Sequence, residues 1–334
     1  MAPVGLLAAA VLAAVASLAA HLALNCPIDP VPSLPVSRYH TPNNLLQRLE
    51  KLGEGQLDAP EDVYVDAAAG GAIYTATRDG WIQRMRPGAN ASWERWRFVG
   101  GTGLLGIAPS ADGTMFVCDA DKGLLRVGEE GVTLLASEVE GSPIRFADAA
   151  IEASDGTVYF SDASTRFGFD RWILDFLESR PSGRLLKYDP RTGETSVVLD
   201  RLGFANGVAR PSWSSASPRG SDARRYGSFW IALLPVRSPW LNLVHRWTFT
   251  KKVVASFPAL LEWSKATAKG ATVAQVSEDG NIIRLLDDSE GKVINFVTSV
   301  NEYNGDIFLG SLETNFVGKL SLAQVTQEQD AVSS

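Results

Sequence analysis

Histidine and cysteine are scarce: three of the first and two of the second in 334 residues. Two cysteines, Cys26 and Cys118, cannot build a disulfide framework for a chain of this size. Whether they pair is open, although Cys118 ends a predicted inner strand and suits a small buried hydrophobe. Basic charge is also short, with 31 Lys and Arg against 38 Asp and Glu and a net charge of -7. No basic stripe stands out, which argues against a nucleic-acid partner. The chain has no Gly-x-Ser-x-Gly elbow. It has no phosphate loop, zinc motif or dinucleotide fingerprint either.

What is present is a repeat: a Gly, a few apolar or aromatic residues, then a small or acidic stop. It occurs at Gly71–Tyr74, Gly113–Asp119, Gly156–Asp162, Gly227–Ala232 and Gly305–Gly310. The first three copies are roughly 42 residues apart, the spacing of four-stranded propeller blades. Third strands are expected at 79–84, 122–127, 183–189, 279–284 and 318–322, and fourth strands at 132–136 and 195–199. The fold class is therefore all-β, a six-bladed β-propeller with one blade truncated or missing after Val208. There Pro211 to Arg225 is rich in Ser, Pro, Gly and Arg, a composition of loop or disorder. Five Gly-aromatic strands stand where six would close the ring.

Pro3 to Leu24 is almost wholly apolar, broken by Ser17 and His21, and long enough to cross a bilayer as a helix. Ala19, Ala20 and Ala23 permit cleavage, yet no Lys or Arg precedes the run. A cleaved signal and a retained anchor are both open, so a membrane partner through residues 3–24 is too. Either sends the rest into the secretory route, with vacuole, endoplasmic reticulum and plasma membrane as destinations. Asn90 begins an Asn-Ala-Ser sequon in a loop and is a glycosylation candidate.

The organisation expected is a leader at 1–24, a Pro-rich lead-in at 25–57 with a helical stretch around 43–51, a propeller at 58–322 and a polar tail at 323–334. Two insertions interrupt the propeller, at 167–181 and 239–265. The first carries a helical stripe over Phe167 to Ser179 and would cap one end of the ring. The second is aromatic and basic. Its plain reading is a packed excursion; its sharper one is membrane contact through Trp240, Trp247, Lys251 and Lys252.

Val158–Arg166 followed by Gly183–Pro190 resembles the signature block of plant strictosidine synthase-like proteins. Their animal relatives are the adipocyte plasma membrane-associated proteins. Ala59–Asp62, Phe204–Ala209 and Gly305–Leu312 extend the resemblance, which runs from about 55 to 322. It implies a six-bladed propeller akin to paraoxonases and gluconolactonases, hence a hydrolase of esters or lactones. The chain departs from the family after Val208, where a stretch of roughly one blade is lacking. An incomplete coding sequence is the favoured expectation, and a distorted smaller ring the alternative.

Members that make strictosidine carry a catalytic Glu on an inner strand of the last blade. Thr298 takes that place here and cannot act as a carboxylate base, so amine–aldehyde condensation is not expected. Glu302 lies near it but at the strand's outer end. None of His21, His40 and His245 falls on an expected inner strand, which leaves no His general base. The family resemblance instead implies calcium at the ring axis, held by Glu61, Asp148 and Asn206, which occupy one phase of the repeat; a fourth ligand falls in the absent stretch. Each also has a structural alternative, as a turn cap, a blade-junction acceptor or an Asn-Gly turn. Asp148 is the best remaining catalytic candidate. The rival function is a non-enzymatic propeller that binds a small molecule or a protein at its capped end. Calcium-dependent thermal stability would separate the two.

Overall fold

The computed structural model describes residues 2–33, 41–88, 91–208, 228–233, 239–277 and 279–326. His40, Asn90 and the Pro211–Arg225 stretch lie outside the described residues. Two compact units divide the chain. One comprises Arg38–Asp170, Pro181–Pro235 and Lys269–Ser334; the other comprises Met1–Ser37, Arg171–Arg180 and Val236–Ala268.

The larger unit is the propeller. It begins with a 3-10 turn at Leu45–Arg48 and β1 (Glu50–Leu52). Blade 1 is β2 (Val63–Asp66), β3 (Ala72–Ala76), β4 (Trp81–Met85) and β5 (Trp93–Phe98). Blade 2 is β6 (Leu104–Pro109), β7 (Met115–Asp119), β8 (Gly123–Gly128) and β9 (Gly131–Ala136). A small hairpin, β10 (Glu138–Val139) and β11 (Ser142–Pro143), leads to blade 3: β12 (Ala147–Glu152), β13 (Val158–Asp162), β14 (Gly183–Asp189) and β15 (Glu194–Leu202). Blade 4 has three strands, β16 (Ser228–Leu233), β17 (Ala271–Ser277) and β18 (Ile282–Asp288). Blade 5 is β19 (Val297–Tyr303), β20 (Asp306–Ser311) and β21 (Val317–Ser321), with β1 paired antiparallel on its outer edge. Where a helical stretch was expected around 43–51, the chain instead makes one short turn and then this closing strand.

Each blade contains one Gly-aromatic strand: β3, β7, β13, β16 and β20. The six-bladed expectation is corrected accordingly. The described residues form five blade sheets, and the one further sheet among them is the two-stranded β10–β11 hairpin. Each of the five Gly-aromatic strands in the sequence belongs to a blade sheet of its own.

The core lies between blades. Ala72, Tyr74 and Ala76 of β3 pack with Leu104, Ile107 and Val117 of blade 2. Cys118, Leu124, Phe160 and Leu186 fill the junction of blades 2 and 3, so Cys118 is indeed a buried free thiol. Val273, Leu286, Ile307 and Leu309 join blades 4 and 5, and Val63, Val65, Phe308 and Val317 join blade 5 to blade 1. The inner strands β2, β6 and β12 pack in series, as do β16, β19 and β2. The described residues show no comparable packing of β12 on β16.

The second unit is helical: α1 (Ala2–Asn25), α2 (Trp172–Glu178), α3 (Pro239–Arg246), α4 (Thr248–Ser256) and α5 (Pro258–Thr267). Three stretches distant in sequence build it, namely the leader with residues 26–33 and parts of both insertions. Val4–Asn25 of α1 is long and apolar enough to cross a membrane, with mean hydropathy 2.2. The amine of Lys251 is fully buried and donates to Val31 O at 2.7 Å, Ser33 Oγ at 2.6 Å and Ser179 Oγ at 2.9 Å. It pins α4 to the post-leader segment and to the end of α2. Lys251 is therefore not the lipid-facing residue that sequence suggested.

Candidate functional site

The five inner segments of the propeller surround a cavity of about 690 Å³, a size that suits a small molecule. Glu61, Asp62, Asp148, Asn206 and Thr298 all line it. Glu61 and Asp62 lead into β2, Asp148 starts β12, Asn206 follows β15 and Thr298 starts β19.

Two local devices place these side chains. The first is a slip in register at the start of the inner strands. Pairing jumps from Ala147 to Ala150 in blade 3 and from Val297 to Ser299 in blade 5, leaving Asp148 and Thr298 in the irregular steps. Such bulges re-aim a side chain, here toward the cavity. The second is close backbone approach at two glycines. A Cβ on Gly106 would overlap the Asp148 carbonyl oxygen, and one on Gly310 would overlap that of Glu61. Glycine therefore lets each neighbouring blade press against the residue that carries the acid.

The cavity floor is acidic. Glu61 and Asp148 are 4% and 3% exposed. Burial, then the neighbouring Asp148 and Asp62, push the Glu61 carboxyl well above the usual carboxylate range. Burial, then Asp62, push Asp148 up to about 8. Asp62 rises to about 6 through burial, moderated by the backbone N–H of Ile107, which donates to its Oδ2 at 2.8 Å. Asp62 Oδ1 also accepts from Val63 N at 2.8 Å, so this carboxylate holds blade 1 against blade 2. Asn206 Nδ2 donates to Asp148 Oδ2 at 3.2 Å. Thr298 Oγ1 donates to the Glu61 carbonyl at 2.6 Å, a structural bond rather than an acid–base position. The Arg78 guanidinium draws Glu61 back toward ionisation and lies 4.2 Å from the centre of the Phe169 ring.

The three residues expected around one axis thus share one cavity, with Asp148 and Asn206 in direct contact. Asp62 and Arg78 were missed. Asp62 stands next to Glu61 in the Pro-Glu-Asp phrase, so its place was visible; Arg78 sits in a turn and carried no signal. His21 and His245 are in the helical unit, and no His is among the described residues that line the cavity. Glu302, at the outer end of β19, accepts from Trp230 Nε1 at 2.7 Å and is not in the lining.

A family model described as Strictosidine synthase matches residues 148–212, the stretch from Asp148 past Asn206. A second, Strictosidine synthase-like, N-terminal, matches residues 39–85, which hold Glu61. Protein STRICTOSIDINE SYNTHASE-LIKE 4 of Arabidopsis thaliana is 32% identical over 316 residues, covering 84% of this chain and 84% of that protein. The chain belongs to the strictosidine synthase-like family. Adipocyte plasma membrane-associated protein of Bos taurus is 29% identical over 369 residues, covering 91% of this strictosidine synthase-like chain and 87% of its own. Among solved structures, a gluconolactonase from Xanthomonas campestris superposes with a TM-score of 0.52 at 13% identity, over 87% of this chain and 98% of that one, a likeness of fold.

Donor chemistry permits calcium in this strictosidine synthase-like cavity, within limits. Glu61, Asp148 and the amide of Asn206 are hard oxygen donors, as calcium requires. Asp62 is already committed to two backbone N–H groups. Among the described residues no three His, Cys, Asp or Glu side chains form a metal-holding group as they stand. An ion there would rely on two carboxylates and an amide, with water and carbonyls completing its shell.

Proposed function

We propose that this propeller is a hydrolase of esters or lactones working in the central cavity. The observation that supports it is the meeting of Glu61, Asp148 and Asn206 around one cavity of substrate size. Glu61 and Asp148 are the residues that would hold calcium, with Asn206 beside them. Bound calcium would polarise a carbonyl and make water more acidic. Asp148 has a second use. That use belongs to the ion-free cavity, where a carboxyl pushed up to about 8 keeps its proton at neutral pH as a general acid requires; bound calcium would hold it ionised instead. Asn206 orients that carboxyl through its 3.2 Å bond, and the burial of Glu61 and Asp148 keeps bulk water off their charge. Strictosidine formation is not proposed, because Thr298 stands where a catalytic Glu would be needed.

The rival reading is a binding propeller, favoured by the lack of a His on the cavity wall. Thermal unfolding with and without calcium, run beside hydrolysis of a panel of aryl esters and lactones, separates the two. The hydrolase reading expects a calcium-dependent rise in Tm that Asp148→Asn abolishes, together with ester or lactone turnover that the same change removes. An unchanged Tm and a rate equal to buffer alone would end it.

A further inference from the structure

The end of α1 is not free of the helical unit. The His21 ring stacks on Phe257 with centroids 4.5 Å apart, and its Nε2 lies 3.1 Å from Ser256 O. Five residues on, Cys26 Sγ lies 3.9 Å from Lys252 O. As the chain advances from His21 to Cys26, its partner on α4 steps back from Ser256 to Lys252. The end of α1 and α4 therefore run antiparallel, and the C-terminal end of α4 points back along the apolar stretch of α1.

At that end the chain turns sharply. Phe257 is extended, with φ -122° and ψ 104°, and Pro258 opens α5. A residue before proline is steered out of the helical region, so the elbow is written into the sequence. The elbow and first turns of α5 read Phe257-Pro258-Ala259-Leu260-Leu261-Glu262-Trp263. Pro258 and Ala259 are exposed, Leu260 and Leu261 are half-buried, and Trp263 is 50% exposed. The lone acid, Glu262, is paired with Lys265 at 2.9 Å. Trp240 packs edge-on against Trp263 at 4.8 Å and donates its N–H to Ser264 Oγ at 2.9 Å.

We propose that the Phe257–Trp263 elbow is a second membrane contact, seated at the boundary of headgroups and acyl chains where α1 leaves the bilayer, with α1 retained as its anchor. The elbow lies level with His21, near the end of an apolar run otherwise broken only by Ser17, whose most hydropathic 18-residue window is wholly unburied. Apolar residues with a tryptophan and a neutralised charge fit that boundary. The other exposed aromatics of this unit, Trp247 and Phe249, lie at the opposite end of α4. Seven residues separate Phe249 from Ser256, roughly 10 Å along the helix, so they stand on the water side of the headgroups. The contact thus falls on the elbow rather than on Trp247, Lys251 and Lys252.

The test uses the full chain reconstituted in phosphatidylcholine vesicles whose acyl chains are brominated near the headgroup. Bromine quenches nearby tryptophan, and the chain has 9 of them, so single replacements assign the signal. α1 carries no tryptophan, so Trp263→Phe should lose most of the quenched emission, while Trp247→Phe should retain it. Matching thermal unfolding of the two variants shows that both are folded. Quenching unchanged in Trp263→Phe, or lost in Trp247→Phe instead, overturns the placement. A membrane-extracted chain whose intact mass lacks the residues up to Asn25 overturns the retained anchor.

Discussion

β13 in blade 3 and β16 in blade 4 carry the same Gly-led aromatic phrase, and they meet different fates. β13 lies between β12 and β14, and four of its five residues are buried. Among the described residues β16 is an edge: it pairs with β17 alone, and none of its six residues is fully buried. Phe160 in β13 is wholly inaccessible, whereas Ile231 in β16 is 37% exposed. A second-strand sequence has been left in an innermost place, where it lines the cavity through Phe229–Ala232. Strand residues acquire their value from neighbours, not from composition.

The largest effect should come from the buried ion pair of blade 3. Arg184 Nη2 donates to Asp162 Oδ2 at 2.6 Å, with side-chain exposures of 10% and 0%. Asp162→Ala strands a buried guanidinium and should cost about 3–5 kcal/mol in urea unfolding; a loss under about 1 kcal/mol would show that blade 3 is not the rigid partner in the comparison. Next is Gly106→Ala, which forces a methyl into the backbone that carries Asp148 and should cost about 1–3 kcal/mol. Its calcium response, if any, should fall with it.

A third experiment uses the fact that blades 1 and 3 supply the cavity's acids, while blade 4 supplies Phe229–Ala232 and no titratable group. Asp62 at about 6 and Asp148 at about 8 both bind protons more tightly folded than unfolded. Their contribution is complete below about pH 4 and fades as pH rises through those two values. Without calcium, Tm should drop between pH 5 and about 8.5, and Asp148→Asn should flatten the upper part of the curve. A wild-type profile flat in that range would refute the buried acid cluster. The smallest effect belongs to blade 4: Ile282, 50% exposed, should change stability by no more than about 0.5 kcal/mol as Ile282→Ala. A larger loss would mean that blade 4 is covered by something.

Much of the ring was legible because its signal is local. A Gly at the turn and apolar residues beyond it specify β3, β7, β13 and β20 without reference to the rest. Third strands such as Gly183–Asp189 were marked by their flanking turns, and the structure forms that strand with the same bounds. Glu61, Asp148 and Asn206 were picked out by their match to the motifs of the family that the chain resembles, with a common repeat phase in support. Whether they hold an ion is a matter for the calcium experiment. What stayed hidden was non-local. Lys251 looks like a surface base on α4, and its burial depends on Val31, Ser33 and Ser179, which come from two other stretches of the chain. Burial also pushes its amine down to about 8. The blade count failed for another reason: six came from the family resemblance, whereas the five Gly-aromatic strands in the sequence match the five blade sheets among the described residues.

The pairing of β1 with β21 joins Glu50 to Lys319, 269 positions apart by subtraction. At about 5–20 residues per second of synthesis, the first strand to emerge must wait on the order of 10–50 s for its mate. Through that interval β1 has no sheet to join, and the ribosome-bound chain displays it as an unpaired strand. The pairing that completes blade 5 is thus also its latest event, and a stop codon late in the message leaves β1 without its mate.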